Sequence, residues 1–169
     1  MRWQVITRCD PRGRALADRH YNRQSIGAEG FVPPGRCVVL LSICERALWV
    51  TSWPFAEYTK HSWAGAWVCS CFRNEGAGLS SELILEAVAA TRSIFGSPPS
   101  LGMITFVDRD KTKPKRDPGF CYLCAGFERV GRTKINKLYA LQLLPKNMPL
   151  AEPPVFGSLS LFPAVEAMR

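Results

Sequence analysis

The chain has 169 residues, 47% of them hydrophobic and 21% charged, which suits one folded domain with a real core and excludes a disordered chain. Its 22 basic and 14 acidic residues leave a net charge of +8, which favours a polyanionic partner such as DNA, RNA or a phosphate-bearing cofactor. No stretch approaches the roughly 18–20 apolar residues of a membrane span, so no membrane partner is expected.

Met1-Arg2-Trp3-Gln4 lacks the apolar run of a signal peptide, so a cytoplasmic protein with reduced thiols at its seven cysteines is expected. In chain order, Trp3 to Arg8 reads as a strand. Asp10-Pro11 opens a helix through Ala15, Leu16 and His20. Phe31 to Gly35 is a turn-rich loop. Cys37 to Ile43 and Ala47 to Trp53 are strands joined at Cys44-Glu45-Arg46. A loop from Pro54 to Gly65 carries Phe55, Tyr58, His61 and Trp63. Ala66 to Phe72 alternates as a strand and runs into the glycine-bearing turn Arg73 to Gly78.

Ser80 or Ser81 can cap a helix over 81–95, in which Leu83, Ile84, Ala87, Val88 and Thr91 recur at helical spacing and which Gly96 ends. Leu101 to Val107 is a strand ending at Asp108. A basic loop leads to Pro118, which starts a short helix through Cys121, Tyr122 and Cys124. Glu128 to Thr133 and Leu138 to Leu144 form a last hairpin. The order β-α-β-β-β-α-β-α-β-β implies an α/β (α+β) mixed sheet, mostly antiparallel, with helices on both faces. One domain is expected over 1–145, with a Pro-rich apolar tail over 146–169.

Two local patterns carry chemistry. At Arg73-Asn74-Glu75-Gly76-Ala77-Gly78, glycines let backbone approach a phosphate, the following helix start offers unpaired N–H groups, and Arg73 adds a cation. An ordinary glycine turn ahead of a helix has the same letters. Further on, a short helix with Tyr122 precedes Gly126-Phe127.

Together and in this order, the two patterns resemble the GNAT superfamily of N-acetyltransferases, over about Cys37 to Leu144. The resemblance implies a GNAT-like fold. It also implies acetyl-CoA or a related acyl donor whose pyrophosphate is held by Arg73, Asn74, Gly76, Gly78, Ser80 and Ser81, with backbone N–H groups of Glu75 to Leu79 as donors. Tyr122 becomes the general acid for the departing thiolate; its other reading is a packed aromatic.

A narrower set comprises Arg19-His20-Tyr21, Arg73-Asn74 ahead of Ser80-Ser81, Phe106-Val107-Asp108, and Tyr122-x-x-Ala125-Gly126-Phe127. It resembles the Mom proteins, phage enzymes that modify adenine in DNA. This implies His20, Asp108 and Tyr122 as catalytic residues, with Asp108 or His20 removing the proton of an exocyclic amine. The stretch from Asp108 to Tyr122 is lengthened by Lys111 to Arg116, and the glycine turn is closer to that of ordinary GNAT enzymes. Asp108 as a turn cap and His20 as a surface or core imidazole fit the letters equally.

Arg109 to Lys137 holds nine Lys/Arg against three Asp/Glu, so DNA is the expected partner, with Arg109, Lys111, Lys113, Lys115 and Arg116 on phosphates. Tyr21, Tyr58 and the other loop aromatics could stack on an extruded base; a solvated basic loop and a core-capping aromatic loop are the plainer readings. Cys69-Ser70-Cys71 and Cys121-x-x-Cys124 lack a metal-knuckle turn, so no metal site is expected. Nothing in the pattern fixes the oligomeric state, a homodimer included. The expectation is a Mom-like transferase acting on a nucleobase. The alternative is an acetyl-CoA-dependent N-acetyltransferase acting on a small-molecule or protein amine; a third is a non-catalytic nucleic-acid-binding module of the same fold.

Overall fold

The structure, a computed structural model, describes residues 1–59, 61–112 and 117–155. Its elements are Trp3–Val5 (β1), Pro11–Asp18 (α1), Arg36–Ser42 (β2), Ala47–Trp53 (β3), Trp67–Asn74 (β4), Ser80–Phe95 (α2), Met103–Val107 (β5), Phe120–Cys124 (α3), Glu128–Arg132 (β6) and Tyr139–Leu143 (β7). The strands make one seven-stranded sheet in the order β1-β2-β3-β4-β5-β7-β6. Among the seven strands only β4 and β5 pair parallel, and Val155 adds a single parallel bridge to Gln4; the other strand neighbours are antiparallel. The element order and mixed sheet agree with the sequence reading.

The apolar runs of β2 and β3 explain why both faces are covered. Side chains alternate across a strand, and here both sets are buried. Val38, Leu40, Ala47 and Trp49 join a core with Leu83, Ile84, Ala87 and Val88 of α2. Val39, Leu41, Leu48 and Val50 join a second core with Leu16 and Ala17 of α1. Helices α1 and α2 therefore lie on opposite faces. Tyr122, Ala125 and Phe127, from α3 and the turn after it, extend the α2-side core. The opposite face of β5 and β7 is capped by Trp63 and Ala66 from the β3–β4 loop.

Element ends differ from the sequence reading where local hydrogen bonds outcompete the ladder. Strand β1 stops at Val5, because Asp10 N–H turns back to the Thr7 carbonyl and the Asp10 side chain caps α1 through Arg12 N–H. Helix α1 ends at Asp18, so His20 and Tyr21 lie in the following loop, not on the helix. Helix α2 starts at Ser80 after Leu79, and no side chain caps it. Helix α3 starts at Phe120, not Pro118, because Gly119 ahead of it holds φ 78°.

The proposed boundary at 145 does not separate the described tail from the body. Val155 N–H donates to the Trp3 carbonyl at 2.8 Å, and Glu152 N–H donates to the Ala89 carbonyl of α2 at 3.2 Å. Arg92 donates to the Pro149 carbonyl. Residues 149–155 thus run along α2 to the edge strand β1. Masking a sheet edge in this way removes a site for unwanted pairing.

Candidate active site

Strands β4 and β5 pair at Trp67↔Met103, Val68↔Ile104 and Cys69↔Thr105, and then part. A bulge begins the divergence: Thr51 faces Cys69 and Val50 faces Cys71, so Ser70 has no partner on β3. A bulge bends its strand and sharpens the twist. β4 then follows β3 to Asn74 while β5 ends at Val107, which opens a notch between them. A crevice beyond the ends of parallel strands is a place where open sheets bind ligands.

Three connected spaces occupy this region. An inner cavity of about 160 Å³ lies in the notch, bordered by Cys69, Cys71, Phe72, Thr105 and Tyr122. An outer cleft of about 570 Å³ runs to the start of α2, along Arg73, Asn74, Gly78, Leu79, Ser80 and Ser81. A side cavity of about 280 Å³ lies under the 19–33 loop, against Ser70 and Cys71. His20 borders all three.

Asn74 builds the turn at the outer end. Its Oδ1 accepts from the N–H of Gly76 and Ala77, at 3.0 and 2.9 Å. Its Nδ2 donates to the Gly78 carbonyl and to Ser80 Oγ, at 2.9 and 2.8 Å. Gly76 holds φ 91°, which favours glycine, and a Cβ there would only displace the end of the flexible Arg46 side chain.

Two expectations change here. Glu75 N–H donates to the Arg46 carbonyl, so three of the N–H groups assigned to an anion, those of Glu75, Gly76 and Ala77, are used inside the turn. The first-turn N–H groups of α2, at Ser80 and Ser81, remain to face the cleft, since a helix start lacks intrahelical partners. Arg73 is not a free cation. Its Nε and Nη2 hold Glu75 Oε1 at 3.0 and 2.9 Å, and its Nη1 donates to the Arg19 carbonyl at 2.7 Å. Asn74 and Arg73 are therefore positioning residues for the turn and for the loop that follows α1.

His20 and Tyr21 stack, with ring centroids 4.4 Å apart. Burial and the nearby Arg73 cation lower the His20 pKa to about 4, so the ring is neutral at pH 7. Its Nδ1 accepts from Asn22 N–H at 3.2 Å. That engages the free lone pair and places the proton on Nε2, so the ring offers a donor rather than a base. The general-base reading of His20 is thereby weakened. Tyr21 borders both the inner cavity and the cleft. Burial raises its pKa, the Asp108 backbone N–H pulls it back, and the Asp108 carboxylate raises it.

Asp108 follows β5 at the mouth of the notch. Its Oδ1 accepts from Asp110 N–H at 3.0 Å, the geometry of a turn cap, and its Oδ2 lies 3.9 Å from Lys111 Nζ. The side chain is 24% exposed, and it borders none of the three spaces among their described residues. Tyr122 is buried between Phe72 and Phe127, and its hydroxyl lies 3.5 Å from Cys69 Sγ. Burial raises its pKa well above the usual phenol value, so it stays protonated. Both readings of Tyr122 meet here: the ring is packed core, and the residue lines the inner cavity. Burial also drives the Cys69 and Cys71 thiols up to about 12, which keeps them neutral.

The nucleic-acid residues divide. Lys111 borders the cleft and Arg109 is exposed beside it. Lys113, Lys115 and Arg116 lie outside the described residues. Tyr58 is 75% exposed and packs edge-on to Phe55, away from the lining of the three spaces. His61 and Trp63 pack on Phe106 instead and act as core caps. No group of three His, Cys, Asp or Glu among the described residues could hold a metal ion.

The sequence reading missed the 19–33 loop as a wall of the site. Its organiser is Arg23, which donates to Asp18 Oδ1 at 2.7 Å and to the carbonyls of Ala28 and Gly30. Arg23 ahead of Gly27 and Gly30 was the only signal for a braced loop, and the partner of each group is fixed only by the fold. Family models, curated proteins and solved structures were each compared with the chain, and none matches it.

Proposed function

We propose that the chain is a GNAT-fold transferase of the Mom type. It would move a small acyl-derived group from acetyl-CoA or a related donor to an exocyclic amine of a nucleobase in DNA, adenine foremost. The sheet order, with one parallel pair that parts over a cleft and helices on both faces, supports the fold part of this reading. The Ser80 and Ser81 N–H groups at the start of α2, in a cleft of about 570 Å³, suit an anionic donor.

The observation that carries the acceptor part is the charge of the notch. No carboxylate borders the inner or the side cavity among their described residues. The charged groups next to it are Arg73 and Arg23, each already paired, with Glu75 and with Asp18, so the lining itself is neutral. An alkyl amine such as lysine, with a pKa of about 10.4, arrives as a cation and needs carboxylates to hold it. A base amine is neutral and arrives beside phosphates. The alternative, an N-acetyltransferase for alkyl amines, lacks that acidic receptor.

A bound acyl thioester would supply the group transferred and a thiolate as leaving group. The amine nitrogen forms the bond to the acyl carbon as the carbon–sulfur bond breaks. The proton lost by the amine passes by way of the Tyr21 hydroxyl to Asp108, whose charge acts on Tyr21 but which lies outside the described lining of the three spaces. Tyr122 gives a proton to the leaving sulfur, for which its raised pKa keeps it ready. His20, as a neutral donor, orients an acceptor atom.

The test is mass spectrometry of nucleosides from DNA of cells producing the chain. A heavier deoxyadenosine, absent with Asp108→Ala, is expected. Unmodified nucleosides in cells that contain the folded protein would overturn the reading.

A further inference from the structure

We infer that the side cavity under the 19–33 loop is the pocket that takes the acceptor base, and that Asn22 and Gln24 are the residues that read its edge. This rests on the base-modifying reading above and assigns a site to its acceptor. The cavity, at about 280 Å³, is near the lower end of the roughly 300–1,000 Å³ of small-ligand pockets. Ala17, Phe31, Val32 and Pro33 give it apolar walls. It shares His20, Asn22, Ser70 and Cys71 with the inner cavity, so a planar ligand seated in one can present an edge to the other.

The pocket is built rather than incidental. Arg23, with a side chain only 11% exposed, spans the loop from Asp18 to the carbonyls of Ala28 and Gly30. Gly27 N–H donates to the other Asp18 oxygen at 3.1 Å. Arg8 ties the far end through the carbonyls of Pro33 and Gly35. These bonds consume the Arg23 charge in the scaffold, so it does not select the ligand.

What remains to select it is neutral. Asn22 and Gln24 line the cavity, and no side-chain hydrogen bond among the described residues uses either carboxamide. A carboxamide offers one donor and one acceptor side by side, which matches the N6 donor and N7 acceptor of adenine. N6,N6-dimethyladenine keeps the ring and lacks the donor. An alkyl ammonium would meet neutral acceptors and no carboxylate in this lining.

The test uses the 15N-labelled full chain, titrated separately with deoxyadenosine, N6,N6-dimethyldeoxyadenosine and 4′-phosphopantetheine, the last a piece of the donor with a phosphate and no adenine. Deoxyadenosine carries no phosphate, so it cannot borrow the start of α2. It should shift the amides of Asn22, Gln24, Phe31 and Val32 and leave those of Ser80 and Ser81 still; phosphopantetheine should do the reverse. The dimethylated nucleoside, which has lost the N6 donor, should bind weaker by roughly fivefold or more. Asn22→Leu and Gln24→Leu, both at exposed positions, should each weaken deoxyadenosine by a similar factor and leave the phosphopantetheine shifts intact.

Deoxyadenosine shifts confined to the start of α2, equal affinity for the dimethylated nucleoside, or unchanged affinity in both variants would overturn the assignment. Nucleoside mass spectrometry separates the two claims. Modified DNA with no deoxyadenosine shift in the loop sinks the pocket and keeps the transferase reading. Loop shifts lost in the variants, with DNA never modified, keep the pocket and sink the transferase reading.

Discussion

Arg19 grips both carboxylate oxygens of Glu75, Nε on Oε1 and Nη2 on Oε2, each at 2.8 Å. Arg73 shares Oε1 and reaches back to the Arg19 carbonyl. One carboxylate thus joins the residue before His20 to the turn before α2, and so ties the acceptor wall to the donor turn.

Glu75→Gln removes the charge and keeps the size. Transfer should fall about tenfold or more through misplacement of His20 and Tyr21. Melting temperature should move by only a few degrees, because a largely exposed ion pair contributes roughly 0–1 kcal/mol. The Arg19 cation, then burial acting against it, and Arg73 leave the Glu75 pKa at about 2. Because the folded value lies below the ordinary 4.5, the contribution is full above pH 4.5 and is lost as pH falls towards 2. Acid titration of unfolding in both proteins checks this: the variant should lose less stability over that window.

Asn74→Ala should loosen the donor turn, since four hydrogen bonds to Gly76, Ala77, Gly78 and Ser80 disappear together. The two backbone N–H groups, exposed and part-buried, turn to water instead, and the cost is about 0.5–1.5 kcal/mol. Coenzyme A affinity should drop while deoxyadenosine shifts persist. Asn74→Asp keeps the acceptor and loses the Nδ2 donor, so it should fall between. Calorimetric titration with coenzyme A reads both; equal affinity in all three proteins would show that the turn has no part in donor binding.

The contrast between Asn74 and Arg73 shows what a linear pattern carries. The strands were legible because β2 and β3 are unbroken apolar runs, and their burial on two faces follows from period two alone. The start of α2 was placed within a residue. The glycine turn was legible as a turn, since Gly76 and Gly78 hold positive φ. Its bonding was not. The charge of Arg73 is spent on Glu75, two residues away, and on Arg19, 54 residues away. Spacing sees the first only as adjacent opposite charges and cannot see the second. The side cavity was hidden for the same reason, because Arg8 and Pro33 meet only after folding.

Tyr122→Phe separates packing from proton transfer. The ring keeps its edge contacts to Phe72 and Phe127, at 6.1 and 5.3 Å between centroids. The hydroxyl is lost with its contacts to Cys69 Sγ and to the Thr105 side chain. Transfer should drop by about 10²–10⁴, the usual worth of a general acid, with melting unchanged within a few degrees. A donor with a better leaving group should recover part of the rate. Equal loss with every donor would assign Tyr122 to positioning instead.

His20 gives the pH signature. Its folded pKa of about 4 lies below the ordinary 6.5 because burial and Arg73 oppose the charged ring. The unfolded chain binds the extra proton first, so stability falls as pH drops from 6.5 towards 4 and is level on either side of that window for this group. The full effect is of the order of 3 kcal/mol at most. His20→Asn should flatten the profile there, and urea unfolding at pH 7.5 and pH 4.5 in both proteins measures the difference. Because the ring stays neutral, transfer should also lack a step near pH 6.5. A step there that vanishes in His20→Asn would mean that the ring titrates normally and serves as the base, which would reverse the donor role that its bond from Asn22 N–H assigns to it.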